Sequence, residues 1–136
     1  MILHIMKKII YLHIFLFTIL LCSTYVYAKK IPNLIGKWEG VNIKSTLKNG
    51  FVRSKNIIEI TDQKDRVFKG HVIHKGGKEE FVGVIKSDYK SFYWADSSND
   101  DGKVIGTILK KNKIETCYLD SGKDAIAGCS ILERMK

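Results

Sequence analysis

The sequence reads, from Lys113 to Arg134, KIETCYLDSGKDAIAGCSILER, and this stretch decides the fold class. Two runs rich in β-forming residues, Lys113 to Leu119 and Ala125 to Arg134, flank the turn formers Asp120 to Asp124. Such a pattern predicts an antiparallel β-hairpin and therefore a β protein.

Two cysteines lie in this hairpin, Cys117 and Cys129, and they are equidistant from Lys123. Folding the hairpin about that point places them opposite each other, at a separation that a disulfide can bridge. We expect the bridge to form in an oxidising compartment. The alternative is two buried free thiols.

Six further segments upstream show the same β-rich character, and none shows a sustained helical period. The candidate strands are Ile35 to Lys44, Asn56 to Thr61, Val67 to His74, Glu79 to Lys86, Ser91 to Ala95, Lys103 to Leu109, Lys113 to Leu119 and Ala125 to Arg134, the last two being the hairpin. Short connections favour an up-and-down order, and eight strands suffice to close a barrel. We predict an all-β, eight-stranded antiparallel barrel, with a β-sandwich as the alternative and Ser45 to Lys55 as a flexible loop.

Glycines recur inside the predicted strands, at Gly70, Gly83, Gly106 and Gly128. A glycine in a strand interior suits a sharply bent sheet, or a place where another side chain needs room. The pattern therefore supports closure of the barrel.

The N-terminus has the pattern of a secretory signal peptide. Lys7 and Lys8 precede an apolar run from Ile9 to Cys22, and Val26 and Ala28 supply small residues for cleavage. We predict a signal peptide at 1–28, cleaved after Ala28, and a single domain at 29–136. An uncleaved membrane anchor and a lipoprotein signal are the alternatives. Export places the domain in a bacterial periplasm or outside the cell.

The chain is basic, with a net charge of +9 that falls to +7 when the signal segment is removed. Its lysines are spread singly along the sequence, and an exported protein rarely meets nucleic acid. We therefore expect a solvated basic face, no nucleic-acid partner, and contact with a membrane only during export. The alternative is attraction of this face to an anionic membrane surface, a glycan or an acidic protein.

The ends of the domain resemble those of the calycins, the group of lipocalin-like and avidin-like barrels. Gly36-Lys37-Trp38 matches the Gly-x-Trp signature of their first strand, and Arg134 falls where those families place an arginine over that tryptophan. The resemblance implies a barrel whose narrow end is closed by Trp38 and Arg134. It does not extend to the biotin-binding pattern of avidins or to any particular ligand.

Catalytic and metal-binding patterns are weak. His71 and His74 lie three apart on a predicted strand, so they face opposite sides, and adjacent Glu79 and Glu80 also diverge. The run from Asp96 to Gly102 has some calcium-loop character, but its register is broken. We expect no enzyme activity, no metal site and no cofactor.

The remaining candidate site is aromatic. Phe68, Phe81, Phe92 and Trp94 could line a cavity with Tyr118 at its mouth, although core packing explains them equally well. The prediction is a non-catalytic binding protein that holds a small apolar or amphiphilic ligand in the barrel. The alternative is a protein partner, with the domain inhibiting a hydrolase through its basic face and the loop 45–55. A solvent-open pocket above roughly 300 Å³ favours the ligand, and a filled interior with a protruding loop favours the inhibitor.

Overall fold

The computed structural model describes residues 6, 30–74, 77–97 and 102–136. The predicted signal segment 1–28 and its cleavage site therefore lie outside the described residues, apart from Met6. Nowhere in the described ranges does a helix reach the length and apolarity needed to cross a bilayer.

Eight antiparallel strands form one closed barrel, because each strand pairs with its sequence neighbour and the last pairs with the first. The strands are β1 (Gly36–Thr46), β2 (Gly50–Lys64), β3 (Val67–His74), β4 (Gly77–Ile85), β5 (Ser91–Asp96), β6 (Lys103–Lys110), β7 (Lys113–Asp120) and β8 (Ile126–Arg134). The up-and-down barrel is confirmed.

Alternating strand direction divides the molecule into two ends. The closed end holds the start of β1, the end of β8 and the turns β2–β3, β4–β5 and β6–β7, while the open end holds the other four turns. The two ends differ in packing, because core side chains fill the barrel near the closed end and a cavity lies near the open end.

The predicted flexible loop from Ser45 to Lys55 is wrong. β1 continues to Thr46 and β2 begins at Gly50, so only three residues form the turn. Gly50 adopts a φ of 65°, and the Asn49 backbone N–H donates to Thr46 Oγ1 at 2.8 Å. At this end both faces of the hairpin meet water, so the alternation of apolar and polar residues that marks a strand is missing.

The core lies inside the barrel near the closed end and is built from alternate residues of the strands. Its buried apolar side chains are Leu34, Trp38, Ile58, Ile60, Phe68, Phe81, Ile85, Phe92, Trp94, Val104, Ile114 and Leu132. Burying one such side chain contributes about 1.5–3 kcal/mol, so this cluster supplies the main driving force for folding.

Phenylalanine rings in the core cover glycines on neighbouring strands. Phe68 is the direct partner of Gly83, and Phe92 is the partner of Gly106. In each case a Cβ on the glycine would overlap the phenylalanine ring. The strand glycines thus make room for rings within the sheet, which explains why a core of large aromatics fits in so narrow a barrel.

The C-terminal hairpin has the predicted register. Cys117 and Cys129 are directly opposed on β7 and β8 and form a disulfide. Both point outward, and Cys129 is exposed, so the bridge lies on the outer surface.

Candidate functional site

The closed end is sealed by Trp38 and Arg134. The guanidinium carbon of Arg134 lies 4.1 Å from the centre of the fully buried Trp38 ring. Arg134 donates from Nη1 to the Ile35 carbonyl and from Nη2 to the Asn33 carbonyl, the latter at 2.8 Å. Partial burial lowers the pKa of Arg134 from its ordinary value, yet an arginine stays charged. The contact expected from the calycin resemblance is therefore present.

The segment before β1 crosses the closed end and completes the seal. Leu34 inserts into the core, and its carbonyl accepts from Trp38 Nε1 at 2.9 Å. Gln63 holds the segment by accepting from the Leu34 N–H and donating to the Pro32 carbonyl, each at 2.8 Å. Solvent and ligands therefore have no route into the barrel from this side.

The opposite half of the interior is a cavity of about 260 Å³ that opens at the open end. Its apolar lining includes Ile58, Val72, Trp94, Val104 and Ile126. Its polar lining consists of Asn42, Lys44, Asn56, Glu79, Asp96, Thr116, Tyr118 and Ser130. Apolar surface combined with converging polar groups is typical of a small-molecule site.

Trp94 forms part of the cavity wall, and aromatic residues of the core hold its ring in place. Its ring stacks on Phe81, with 4.5 Å between centroids, and lies beside Phe92 on the same strand. The indole N–H is buried and meets no acceptor in the part of the chain that the structure describes. A buried donor is normally hydrogen-bonded, so this N–H is a candidate contact for a ligand oxygen.

Two polar side chains meet deep in the cavity. Asn56 Nδ2 donates to Ser130 Oγ at 2.9 Å, joining β2 to β8 across β1. Ser130 and its cross-strand partner Thr116 are almost fully buried. They supply hydrogen-bonding groups where the apolar floor ends.

The charged groups of the cavity are divided between its two sides. Lys44 lies on β1, whereas Glu79 and Asp96 lie on β4 and β5. In a barrel of eight strands in sequence order, the fifth strand stands opposite the first. Within the described residues neither Lys44 nor Glu79 forms an ion pair. The mouth thus presents positive and negative charge on facing walls.

The five aromatic residues predicted to bind ligand separate into two groups. Trp94 and Tyr118 line the cavity. Phe68, Phe81 and Phe92 lie in the packed core instead, because the glycines beside them let their rings fill the barrel below the cavity.

The two histidines face opposite sides of β3, as expected. His71 points outward with Nε2 3.0 Å from Glu59 Oε2, a distance that suits an ion pair although the geometry is not that of a hydrogen bond. Among the described residues, no group of three or more His, Cys, Asp or Glu side chains is arranged to hold a metal ion. Most of the calcium-like run, at 98–101, lies outside those residues.

The polar lining was not predicted from the sequence, yet a signal for it exists. Several polar residues follow a buried residue on the same strand face by two or four positions: Asn42 after Trp38, Asp96 after Trp94, and Thr116 after Ile114. Continuing the two-residue period past the core identifies the interior positions even where the residues are polar.

A second depression lies on the outside of β8, β1 and β2, and includes Val41, Ile43, Phe51 and Ile131. All four side chains are exposed, Phe51 at 88%. This depression is more open to solvent than the cavity inside the barrel, so the cavity is the better candidate site.

Comparison with known proteins assigns the chain to no family. No protein-family model matches the sequence, and no curated protein matches it. A redesigned β-barrel aligns at a TM-score of 0.49 with 14% identity, covering 76% of this chain and 92% of that chain. A barrel from the de novo design of a fluorescence-activating β-barrel aligns at 0.45 with 14% identity, covering 74% and 93%. These resemblances concern the barrel alone, and membership of the calycin group stays a prediction.

Proposed function

We propose that this chain is an exported, non-catalytic binding protein that holds one small amphiphilic molecule in the cavity at its open end. The observation that carries the proposal is the contrast between the two halves of the barrel. The closed end is filled with apolar side chains and sealed by Trp38 and Arg134, whereas the other half keeps an open, mixed-polarity cavity.

The lining favours an amphiphilic ligand over a purely apolar one. Val104 and Trp94 offer an apolar surface at the floor, while Asn56 and Ser130 offer hydrogen-bonding groups beside it. Asn56 and Ser130 are bonded to each other, but a hydrocarbon in this cavity would leave their remaining hydrogen-bonding capacity and the Trp94 N–H unused, which is unfavourable. A flat apolar ring with polar substituents matches the lining better.

The volume limits the size of the ligand. A cavity of about 260 Å³ is slightly below the roughly 300–1,000 Å³ typical of ligand pockets. It corresponds to about nine water molecules at about 30 Å³ each. The ligand is therefore a single-ring or short-chain molecule, and a long fatty acid or a large pigment would not be enclosed.

Two features support export. The first is the signal-like pattern at 1–28, and the second is the cross-strand disulfide between Cys117 and Cys129. Disulfides persist mainly in oxidising compartments such as the periplasm and the extracellular space.

A non-catalytic role fits the hydroxyl groups of the cavity. Ser130 Oγ is paired with the amide of Asn56, not with a base that would activate it as a nucleophile. The alternative of a hydrolase inhibitor relied on the basic face and on a loop at 45–55, and of these two features the loop is absent because those residues form paired strands.

Native mass spectrometry of the protein purified from the cells that produce it tests the proposal. The expected result is a mass excess of one small molecule per chain, which is released on denaturation. A chain that carries no small molecule but co-purifies in a stoichiometric complex with another protein would contradict the proposal and favour the inhibitor.

A further inference from the structure

The fold gathers basic residues that the sequence spreads out. Up-and-down topology brings three turns and both ends of the described domain together at the closed end. Exposed lysines there include Lys30, Lys64, Lys90, Lys110, Lys111 and Lys136. None of these side chains forms an ion pair within the described residues.

Acidic groups at the closed end do little to cancel this charge. Glu133 pairs with Lys113 at 3.1 Å, so both charges are already compensated. Asp65 and Asp88 also lie in closed-end turns, but the six unpaired lysines outnumber them, so the net charge of this end stays positive. At the open end, by contrast, Asp120 and Asp124 flank Lys123 around the β7–β8 turn, and Glu79 and Asp96 line the cavity mouth. The domain therefore has a positive pole opposite its cavity.

Apolar side chains are exposed on the same pole. Ile35, Leu109 and Met135 are 42%, 44% and 44% exposed, and they lie just before β1, near the end of β6 and just after β8. The three positions are neighbours, since β1 pairs with β8, and the Arg134 N–H donates to the Asn112 carbonyl in the β6–β7 turn. These exposed apolar side chains therefore lie among the lysines of the closed end.

We propose that the closed end docks onto the surface of an anionic membrane. Lysines attract anionic headgroups, and neighbouring apolar side chains enter the boundary between headgroups and acyl chains. A soluble polyanion such as a nucleic acid would engage the lysines but gain nothing from Ile35, Leu109 and Met135. Docking in this orientation leaves the cavity mouth facing away from the membrane, so ligand exchange and attachment do not interfere.

Co-sedimentation with vesicles tests this inference independently of the ligand. The probes are vesicles of phosphatidylcholine alone and of phosphatidylcholine mixed with phosphatidylglycerol, at low and at high salt. The closed-end variant carries Lys110→Glu, Lys111→Glu and Lys136→Glu. Its control carries Lys48→Glu, Lys103→Glu and Lys123→Glu, which change the net charge equally at exposed positions of the open end.

The wild type and the open-end control are expected to bind only the anionic vesicles, more weakly at high salt. The closed-end variant is expected to bind about a hundredfold more weakly, since each basic residue near an anionic surface contributes about fivefold. Absence of wild-type binding, or equal losses in both variants, would overturn the inference.

A third variant separates a membrane from a polyanion. Leu109→Ser with Met135→Ser keeps every charge and is expected to weaken vesicle binding several-fold. If this variant binds vesicles as tightly as the wild type, and the wild type binds polyphosphate equally tightly, then binding depends on charge alone. That result would also overturn the inference. Equal urea midpoints for all variants establish that the fold is kept.

Discussion

Phe92 on β5 covers Gly106, its direct partner on β6, so closely that a Cβ at position 106 would overlap the aromatic ring. The pair is one of several in which a ring occupies the space above a strand glycine. It defines where the solid core ends and the cavity begins, because Trp94 stands one step further along the same strand face.

The first prediction concerns this pair. Gly106→Ala is expected to lower the free energy of unfolding by about 1–3 kcal/mol, because overpacking forces Phe92 out of its position. Phe92→Leu should remove most of the penalty that the alanine imposes. Urea unfolding of both single variants and the double variant measures the coupling, and strictly additive losses would show that the two residues do not compete for space.

Arg134 gives the second prediction. Its guanidinium combines two hydrogen bonds to carbonyls with the contact to the Trp38 ring. Arg134→Ala is expected to cost about 2–4 kcal/mol, from charged hydrogen bonds and the cation–π contact. Arg134→Lys should recover less than half of this, because a lysine cannot make the planar, forked contacts. Full recovery by lysine in urea unfolding would mean that charge alone matters.

The Cys117–Cys129 bridge gives the third prediction. It spans 12 residues, and closing so short a loop contributes about 2–3 kcal/mol. Adding a reductant should lower the urea midpoint of the wild type accordingly. The double variant Cys117→Ala with Cys129→Ala serves as the control, because it should unfold at the lower midpoint whether or not reductant is present. A wild-type midpoint that ignores the reductant would contradict the assignment.

Asp88 gives the fourth prediction, which concerns pH. Hydrogen bonds from the Ser91 backbone, the Lys90 backbone and the Ser91 hydroxyl hold the pKa of the Asp88 carboxyl well below its ordinary value. Because the folded-state pKa lies below the unfolded one, the stabilisation is complete above about pH 4 and is lost as the pH falls further. Asp88→Asn should therefore be less stable than the wild type at neutral pH, with the difference shrinking on acidification. A difference that is constant from neutral pH to about pH 3 would exclude this role.

The strand pattern and the cysteine pairing could be predicted from the sequence because they depend on local signals, whereas the contact between Trp38 and Arg134 was expected only from the calycin resemblance. Alternating apolar residues located the strands, turn formers located the hairpins, and equal spacing from Lys123 paired the cysteines. Each signal involves residues close in sequence or at strand ends, where register follows directly from the turn.

The cavity could not be predicted in the same way. Whether Phe81 lines a pocket or fills a core depends on how far its ring reaches over Gly70 on the neighbouring strand, which sequence spacing does not encode. The polar residues of the cavity mouth do not alternate with apolar residues, so the sequence gives no strand signal there. The paired strands at 45–55 lack the same alternation, and for that reason they were predicted to be a loop. The clustering of lysines at one end likewise emerges only when the topology brings separate turns together.

The central claim is that the open half of the barrel holds a small amphiphilic molecule, and one matched pair of variants tests it most directly. Val72 lines the cavity, whereas Val82 points outward and is 63% exposed. Val72→Phe fills the cavity, and Val82→Phe adds the same group outside it. Val72→Leu provides a milder filling should the larger side chain prevent folding.

Titration calorimetry with 4-ethylphenol, a single-ring molecule that carries one hydroxyl group, supplies the measurement. The wild type and Val82→Phe are expected to bind one probe molecule per chain with equal affinity. Val72→Phe should bind at least about tenfold more weakly, a loss of about 1.4 kcal/mol, and Val72→Leu should fall between them. Equal binding by all of the variants, or no binding by the wild type, would contradict the claim.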